Sequence, residues 1–514
     1  MTTPYICTSC RRSLKSSPQT YNGAVKRLYT RPSFAPKPVL DLKHIRQNPG
    51  LYEQNCLDRN YGAHAQNSWR ILELHNEVAK KQAEILEVRR RNNALGREIQ
   101  QQAGTSSDTC RQGSGVSALV EEARRLKEDL QKFEQWESAA REQMEKLAID
   151  LPNLSSNVTP VGEEPELLGY VNESHGRKEG RSHVEIGKEL DILDFEASAV
   201  TSGWGWYFLK NEGALLEQAL IQYALAVAMR KGWRVMTPPS LVYSHIASGC
   251  GFMPRDQNGE TQRYEIAGDA SSPADADKPS LVLAGTAEIP FAGSQAGRTL
   301  KASALPLKVI GPSRSYRAEA GARGVDTKGL YRVHEFTKVE MFAWTSPPTT
   351  STSQDGNRFD SDDELDELDQ TRRVFDEMLS IQTEILTNLG LHARVLEMPT
   401  TDLGASATRK VDIEAFFPSR AAINEGYGEV TSASICTDYQ SRRLGTRVKD
   451  DRGGKPIWPY TVNGTAIAIP RVLACLLETG WDESSRTVNI PTALRPYILG
   501  GIEKIGPVGL RSVK

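Results

Sequence analysis

Acidic side chains are missing from the first forty residues. That stretch carries Arg11, Arg12, Lys15, Lys26, Arg27, Arg31 and Lys37 among many serines, threonines and prolines, with no Asp or Glu. A basic, hydroxyl-rich, acid-free start has the composition of a mitochondrial transit peptide. Residues 1–38 are therefore expected to target the chain to the mitochondrial matrix, with cleavage near Arg27-Leu28-Tyr29; a disordered basic tail is the alternative. Loss of those seven cations takes the net charge from −2 to −9. With so little positive charge overall, a nucleic-acid partner can be argued only from local patches. Long apolar runs are also lacking. The best, Ala219 to Met229, is interrupted by Gln222 and Tyr223, too short to span a bilayer, so no membrane is expected as partner. Cysteine is sparse. Cys7 and Cys10 form a C-x-x-C, but no second pair at zinc spacing follows. Cys56, Cys110, Cys250, Cys436 and Cys475 are scattered and are expected to be reduced. The absence of G-x-x-x-x-G-K-[ST] speaks against a P-loop nucleotidase.

What is there begins at Asp41, where the chain turns acidic, basic and helical. DLKHIRQNPGLYEQN reads as a short helix, a break at Asn48-Pro49-Gly50, and a second helix. Two heptad series follow. Ile71, Leu74, Val78, Lys81, Ile85, Val88, Asn92, Leu95 and Ile99 form the first. Leu119, Ala123, Leu126, Leu130, Phe133, Glu137, Ala140, Met144 and Leu147 form the second. Steps of three and four place each series on one helix stripe. The twelve residues between them, GTSSDTCRQGSG, are turn-forming. Two equal heptad helices around a short turn predict an antiparallel coiled-coil hairpin closed by Leu151-Pro152, with residues 39–152 as an arm and 153–514 as a core. A coiled-coil hairpin is usually a spacer or an oligomerisation device; its outer faces here also carry Lys80, Arg89, Arg90, Arg91 and Arg97.

The core is organised around Ser313 to Trp344, SRSYRAEAGARGVDTKGLYRVHEFTKVEMFAW. It reads as two strands joined by a Gly-rich loop, Gly321 to Gly329. Strand side chains alternate faces. One face of the second strand then carries Leu330, Arg332, His334, Phe336, Lys338 and Glu340, and the other Tyr331, Val333, Thr337, Val339 and Met341. Arg317 and Glu319 share a face of the first strand. Guanidiniums suit phosphates, a ring can stack on a base, and a carboxylate can accept from an amine or hydroxyl. Phe336 and Glu340 lie roughly 13 Å apart at strand rise, the reach of a nucleotide bearing a small acid. A charged strand pair on a solvated face is the plainer alternative.

YRAEAG…RG…GLYRVHEFTKVE resembles motif 2 of the class II aminoacyl-tRNA synthetases, most closely the seryl-tRNA synthetases. The resemblance covers about residues 40–510. It implies an α+β fold: an N-terminal antiparallel coiled-coil arm, then a class II core with an antiparallel β-sheet flanked by helices. The helix Glu212 to Lys231 with the strand WRVMTPPSLV is similar to motif 1, which implies a homodimer through the core with Pro239 at the interface. Residues 153–200 read as a linker with short helices, Gly203 to Phe208 as the start of a strand, and 346–370 as a surface insertion. The helix Arg372 to Leu389 follows.

The resemblance also implies roles. Gly285-Thr286-Ala287-Glu288 is similar to the family's T-x-E loop, in which Thr286 and Glu288 would hold the serine ammonium. Arg317 would hold the α-phosphate and the substrate carboxylate. Glu319 would meet the adenine amine, Phe336 would stack on the base, and Val333 would offer backbone contacts. Arg332 and Arg471, the latter in the motif 3 stretch Asn463 to Arg471, would grip the γ-phosphate. Glu429 and Ser432 would hold the Mg2+ bridging the ATP phosphates, as suits a hard cation with oxygen ligands. Glu340 and Thr465, with Asn463 nearby, would bind the serine hydroxyl. Arg317 and Arg471 are the candidate catalytic groups. The segment Asp402 to Ala407 with Lys410 to Ala415 is given no direct role. The implied reaction is ATP-dependent ligation of L-serine to tRNA-Ser through seryl-adenylate, with the arm gripping the tRNA. A threonine or proline enzyme of the same class, and a non-catalytic paralogue with an RNA-binding or structural role, are the rival readings. The class I signatures HIGH and KMSKS are absent.

Overall fold

The computed structural model describes residues 35–104, 114–173, 179–253, 262–267, 280–318, 329–348, 369–451 and 453–507. Most of the expected targeting segment, most of the 346–370 insertion, and Glu319 lie outside the described residues.

The arm starts with α1 (Leu42–Gln47), where the Asp41 side chain caps the helix by accepting from the His44 N–H at 3.0 Å. The expected break narrows to Asn48. Pro49 opens α2 (Pro49–Asp58), since its fixed φ and missing N–H suit a first helical turn. The two long helices are α3 (Asn67–Gly104) and α4 (Ser114–Ile149). They run antiparallel: Gln82 bonds Glu137 at 2.9 Å and, nearer the turn, Arg91 pairs with Glu122 at 2.9 Å. Ile71, Leu74, Val78 and Leu95 of α3 are buried, as are Phe133, Ala140 and Met144 of α4, and Ile71, Leu74 and Met144 belong to one apolar cluster at the root. Lys81 breaks the apolar series without breaking the packing. Its ammonium lies 3.8 Å from the centroid of the Trp136 ring, a cation–π contact.

The root of the arm is welded to the core. The fully buried Arg59 guanidinium donates to the carbonyls of Asn153 and Gly404. Arg443 donates to the carbonyls of Ile149 at 3.2 Å and Leu151 at 3.3 Å.

The core is an eight-stranded sheet. Its strands are β1 (Glu166–Val171), β2 (Arg234–Val235), β3 (Leu307–Tyr316), β4 (Glu335–Thr345), β5 (Ala393–Glu397), β6 (Arg409–Phe416), β7 (Tyr427–Thr437) and β8 (Tyr460–Ala468). The order is β1-β5-β6-β7-β8-β4-β3-β2, antiparallel except for β2 beside β3. Three helices, α5 (Asn211–Arg230), α6 (Gln370–Asn388) and α7 (Ile469–Gly480), pack on one face. Strand alternation sorts β4 accordingly. Val339, Met341 and Ala343 join the core beneath these helices, whereas Phe342 and Trp344 point to a second, smaller core on the other face.

Several expectations change. Residues 153–200 are more than a linker, because β1 forms an edge of the main sheet. No strand starts at Gly203. Gly203 and Gly205 take φ of +99° and +83°, which interrupts an extended run, and only Phe208–Leu209 pairs. The strand expected over WRVMTPPSLV splits into β2 and Leu241–Tyr243, since Pro238 and Pro239 have no N–H for a ladder. Gly311 on β3 has a steric reason. A Cβ there would come within 1.7 Å of the Met236 carbonyl oxygen, so β2 can lie against β3 only if that side chain is absent.

Candidate active site

β4 begins at Glu335, five residues later than the alternation from Leu330 implies. Residues 329–334 form a turn instead. Its entry is held by the Leu330 N–H, which donates to Nε2 of His183 at 2.9 Å, while His183 Nδ1 pairs with Glu478 at 2.7 Å. Leu330 therefore points into the core, and Tyr331 and Val333, assigned to the opposite face, line the cleft together with Arg332. From Phe336 onward the alternation holds. Phe336, Lys338 and Glu340 share the cleft face with Thr465 of β8, which pairs in register with Glu340.

The cleft opens to solvent, and about 520 Å³ of empty space lies between its walls and at its mouth. At one end guanidiniums and rings alternate. Arg317 leaves the end of β3 with its N–H donating to the His334 carbonyl at 2.9 Å. Its guanidinium lies 5.4 Å from the Phe336 ring centroid. Arg471 sits in the first turn of α7, after Pro470. Its Nε donates to the Tyr331 carbonyl at 3.0 Å, and Nη1 donates to Oε2 of Glu429 at 3.1 Å. Burial opposes the charge on Glu429, but Arg471, Lys410 and Arg317 outweigh it and hold the carboxyl at about 2. It is therefore ionised at neutral pH. Ser432 lies on the same strand and lines the same cleft.

At the other end the polar groups are buried. Glu340 Oε2 accepts from Lys338 Nζ at 2.6 Å and from Thr465 Oγ1 at 3.3 Å. Glu288 opens a short helix, Glu288–Ser294, and its own N–H donates to Thr286 Oγ1 at 3.4 Å. Gln440 Nε2 donates to Oε1 of Glu288 at 2.6 Å. Burial, helped by the negative charge of Glu340, pushes the Glu288 carboxyl up to about 8, with Lys338 and Gln440 opposing. Asn463 is buried beside Cys436, with Nδ2 3.6 Å from Sγ.

The structure thus lines one cleft with Arg317, Arg332, Val333, Phe336, Glu429, Ser432, Thr465 and Arg471. Glu340 lies behind it against Lys338 and Thr465, Thr286 and Glu288 form a buried pair whose carboxylate feels Glu340, and Asn463 is buried farther back beside Cys436. Sequence reasoning gave no role to Lys338, Gln440, Tyr331 or the buried Lys410–Asp412 pair, whose Nζ–Oδ2 distance is 2.7 Å. Alternation alone put Lys338 on the cleft face. Burial pushes Asp412 up to about 7, against the pull of Lys410. No sequence pattern flags Gln440, which arrives from the helix Tyr439–Leu444 only on folding.

The geometry agrees with what the chain resembles. Residues 39–155 match the family model "Seryl-tRNA synthetase N-terminal domain", and 271–480 match "tRNA synthetase class II core domain (G, H, P, S and T)". The mitochondrial serine–tRNA ligase of Saccharomyces cerevisiae is 35% identical over 484 residues, covering 93% of this chain and 99% of that protein. The chain belongs to the seryl-tRNA synthetase family. Its activity is that of a class II serine–tRNA ligase. The mitochondrial serine–tRNA ligase of Schizosaccharomyces pombe is 36% identical, covering 90% of this chain and 88% of that one. The crystal structure of the seryl-tRNA synthetase from Pyrococcus horikoshii, complexed with ATP, superposes with a TM-score of 0.77 at 28% identity, covering 91% of this chain and all of that one.

Proposed function

We propose that the chain charges tRNA-Ser with L-serine in the mitochondrial matrix, in two steps within this cleft. The serine carboxylate attacks the α-phosphorus of ATP, giving seryl-adenylate and pyrophosphate. A terminal tRNA hydroxyl then takes the acyl group and releases AMP. The carboxylate is already ionised at neutral pH, so the first step needs no general base, and catalysis is placement and charge stabilisation. In this reading Arg317 holds the α-phosphate and the serine carboxylate. Phe336 stacks on adenine with backbone contacts from Val333, and Arg332 and Arg471 take the γ-phosphate. Glu319 meets the adenine amine. Thr286 and Glu288 hold the ammonium. Glu340 and Thr465, with Asn463, receive the hydroxyl. A site built to bond a hydroxyl rejects an analogue lacking one by ~10⁴, which disposes of alanine.

Mg2+ fits the oxygen donors of Glu429 and Ser432. The ionised Glu429 carboxylate supports this, with phosphate oxygens completing the shell. Among the described residues no cluster of three His, Cys, Asp or Glu side chains could hold a metal alone, consistent with a cation that arrives with the triphosphate. Once bound, the ion would neutralise phosphate charge.

We place the targeting segment at 1–38, the tRNA-binding arm at 39–152 and the catalytic core at 153–514, with a surface insertion at 346–370. The mitochondrial relatives and the acid-free start support the compartment. A homodimer through the core is supported by the groove over α5 and β2, where Met229 and Val235 are about half exposed beside Ile221, Leu225 and Pro312, and by the exposed Pro239.

One observation carries the proposal: a single cleft joins an arginine-and-aromatic end to a buried carboxylate-and-hydroxyl end. The test is ATP–pyrophosphate exchange with all twenty amino acids on protein beginning at Asp41, then charging of tRNA-Ser. Serine-dependent exchange is expected. Exchange with another amino acid, or with none, overturns the reading.

A further inference from the structure

The amino-acid end of the cleft holds two carboxylates in a nearly dry space. Glu288 and Glu340 are 7% and 2% exposed. Two like charges at such a site cannot both stay ionised without a counter-ion. Lys338 is 7% exposed and its Nζ lies 2.6 Å from Oε2 of Glu340. The groups that bond or pack nearest are neutral: Thr465 and Asn463 on β8, Gln440 on its short helix, and the Cys436 and Cys250 thiols, which burial keeps protonated. Behind Cys436 the buried Arg59 guanidinium adds a positive charge, itself bonded to backbone carbonyls. Arg317 stands at the cleft side, against Phe336.

We propose that Lys338 is the internal counter-ion of the amino-acid subsite: it positions Glu340 and, with both carboxylates ionised, leaves the Glu288–Glu340–Lys338 cluster with one net negative charge, matched to a single substrate ammonium. This rests on the serine-activating role proposed above. With Lys338 present, the two carboxylates can be ionised together when one external cation enters. Without it, they share a proton, and the ammonium meets a neutral carboxylic acid. Before the ammonium enters, burial keeps Glu288 protonated at neutral pH even with Lys338 opposing; the entering ammonium is the further cation that lets the second carboxylate ionise. Lys338 lines the cleft beyond Phe336, but its ammonium is turned to Glu340 at 2.6 Å, so the defect should fall mainly on serine.

The test compares wild type, Lys338→Met and Lys338→Arg in pyrophosphate exchange from pH 6.5 to 9, reading KM for serine and for ATP separately. For Lys338→Met the expected result is a serine KM raised at least tenfold at pH 7, with an ATP KM within threefold of wild type. The fall of serine KM with rising pH should move to higher pH by about one unit, because the shared proton leaves later. Lys338→Arg should restore most of the serine KM and return the pH profile. If Lys338→Met does not fold, Lys338→Gln takes its place, with the same expectations. Superimposable pH profiles, or ATP and serine KM rising together, overturn the proposal. Absence of serine-dependent exchange in the wild type would instead overturn the functional reading itself, so the two failures are distinct.

Discussion

Arg471 and Glu429 clasp each other at the nucleotide end of the cleft. Nη1 of the arginine donates to Oε2 of the glutamate at 3.1 Å and to the backbone carbonyl of the same residue at 2.9 Å. A residue of motif 3 thus fixes the carboxylate proposed for Mg2+, and the carboxylate in turn orients the guanidinium before any phosphate arrives.

The pair has a consequence for acid stability. Burial raises the Glu429 pKa, but Arg471, Lys410 and Arg317 bring it down to about 2, below the ordinary value of about 4.3. A depressed carboxyl contributes stability that is present above its unfolded pKa and lost as pH falls through the folded one. Between about pH 4.5 and pH 2 the melting temperature of the wild type should therefore fall more steeply than that of Glu429→Gln. Parallel curves in thermal melts over that window would show that the pairing contributes nothing.

Removing the charge beside Phe336 should separate chemistry from folding. Arg317 is held by its backbone N–H, which donates to the His334 carbonyl, and by a cation–π contact with Phe336, and its charge helps keep Glu429 ionised. Arg317→Ala should lower adenylate formation by about 10²–10³, the range for loss of one preorganised charge-stabilising donor, with little change in melting temperature. Burst measurements of adenylate would expose the error if formation stays near wild type.

Glu340→Ala should do two things together. Serine-dependent exchange is expected to vanish while ATP still binds, because the lesion lies at the buried end. Stability should drop by up to about 3–5 kcal/mol, the cost of breaking a buried pair, since Lys338 loses the carboxylate at 2.6 Å and keeps only the charge interaction with Glu288. Denaturant titration and fluorescent ATP-analogue binding measure the two effects. Surviving exchange would show that the hydroxyl is read elsewhere.

The arm can be shortened without touching the cleft. Joining residue 85 to residue 132 through a short Gly-rich turn removes the outer part of α3 and α4 and keeps the root, where Arg59 and Arg443 bind core and arm carbonyls. Serine-dependent exchange should be unchanged, and the KM for tRNA-Ser should rise at least tenfold as phosphate contacts are lost. Equal aminoacylation by the shortened protein would remove the arm from tRNA binding.

Much of this was readable along the chain. The heptads of Ile71 to Ile99 and Leu119 to Leu147 placed the arm helices, because a helix buries one stripe whatever it packs against. Alternation from Phe336 to Glu340 put Phe336, Lys338 and Glu340 on one face, because strand geometry leaves no other choice. The reading failed where the backbone leaves regular geometry. Leu330 to His334 curve as a turn anchored by His183, Gly203 and Gly205 break an expected strand, and β1 emerges from what looked like a linker.

The residue order alone determined the helices of the arm, the strand carrying Phe336 to Glu340 and the family to which the chain belongs, since local periodicity and motif spacing are properties of neighbours. Which distant groups share a charge was decided only by the fold. Lys338 meets Glu340, Gln440 meets Glu288 from 152 positions away, and Arg471 meets Glu429. Electrostatic energy depends on separation in space and on exclusion of water, and neither is set until the sheet, its helices and the root of the arm close around the cleft.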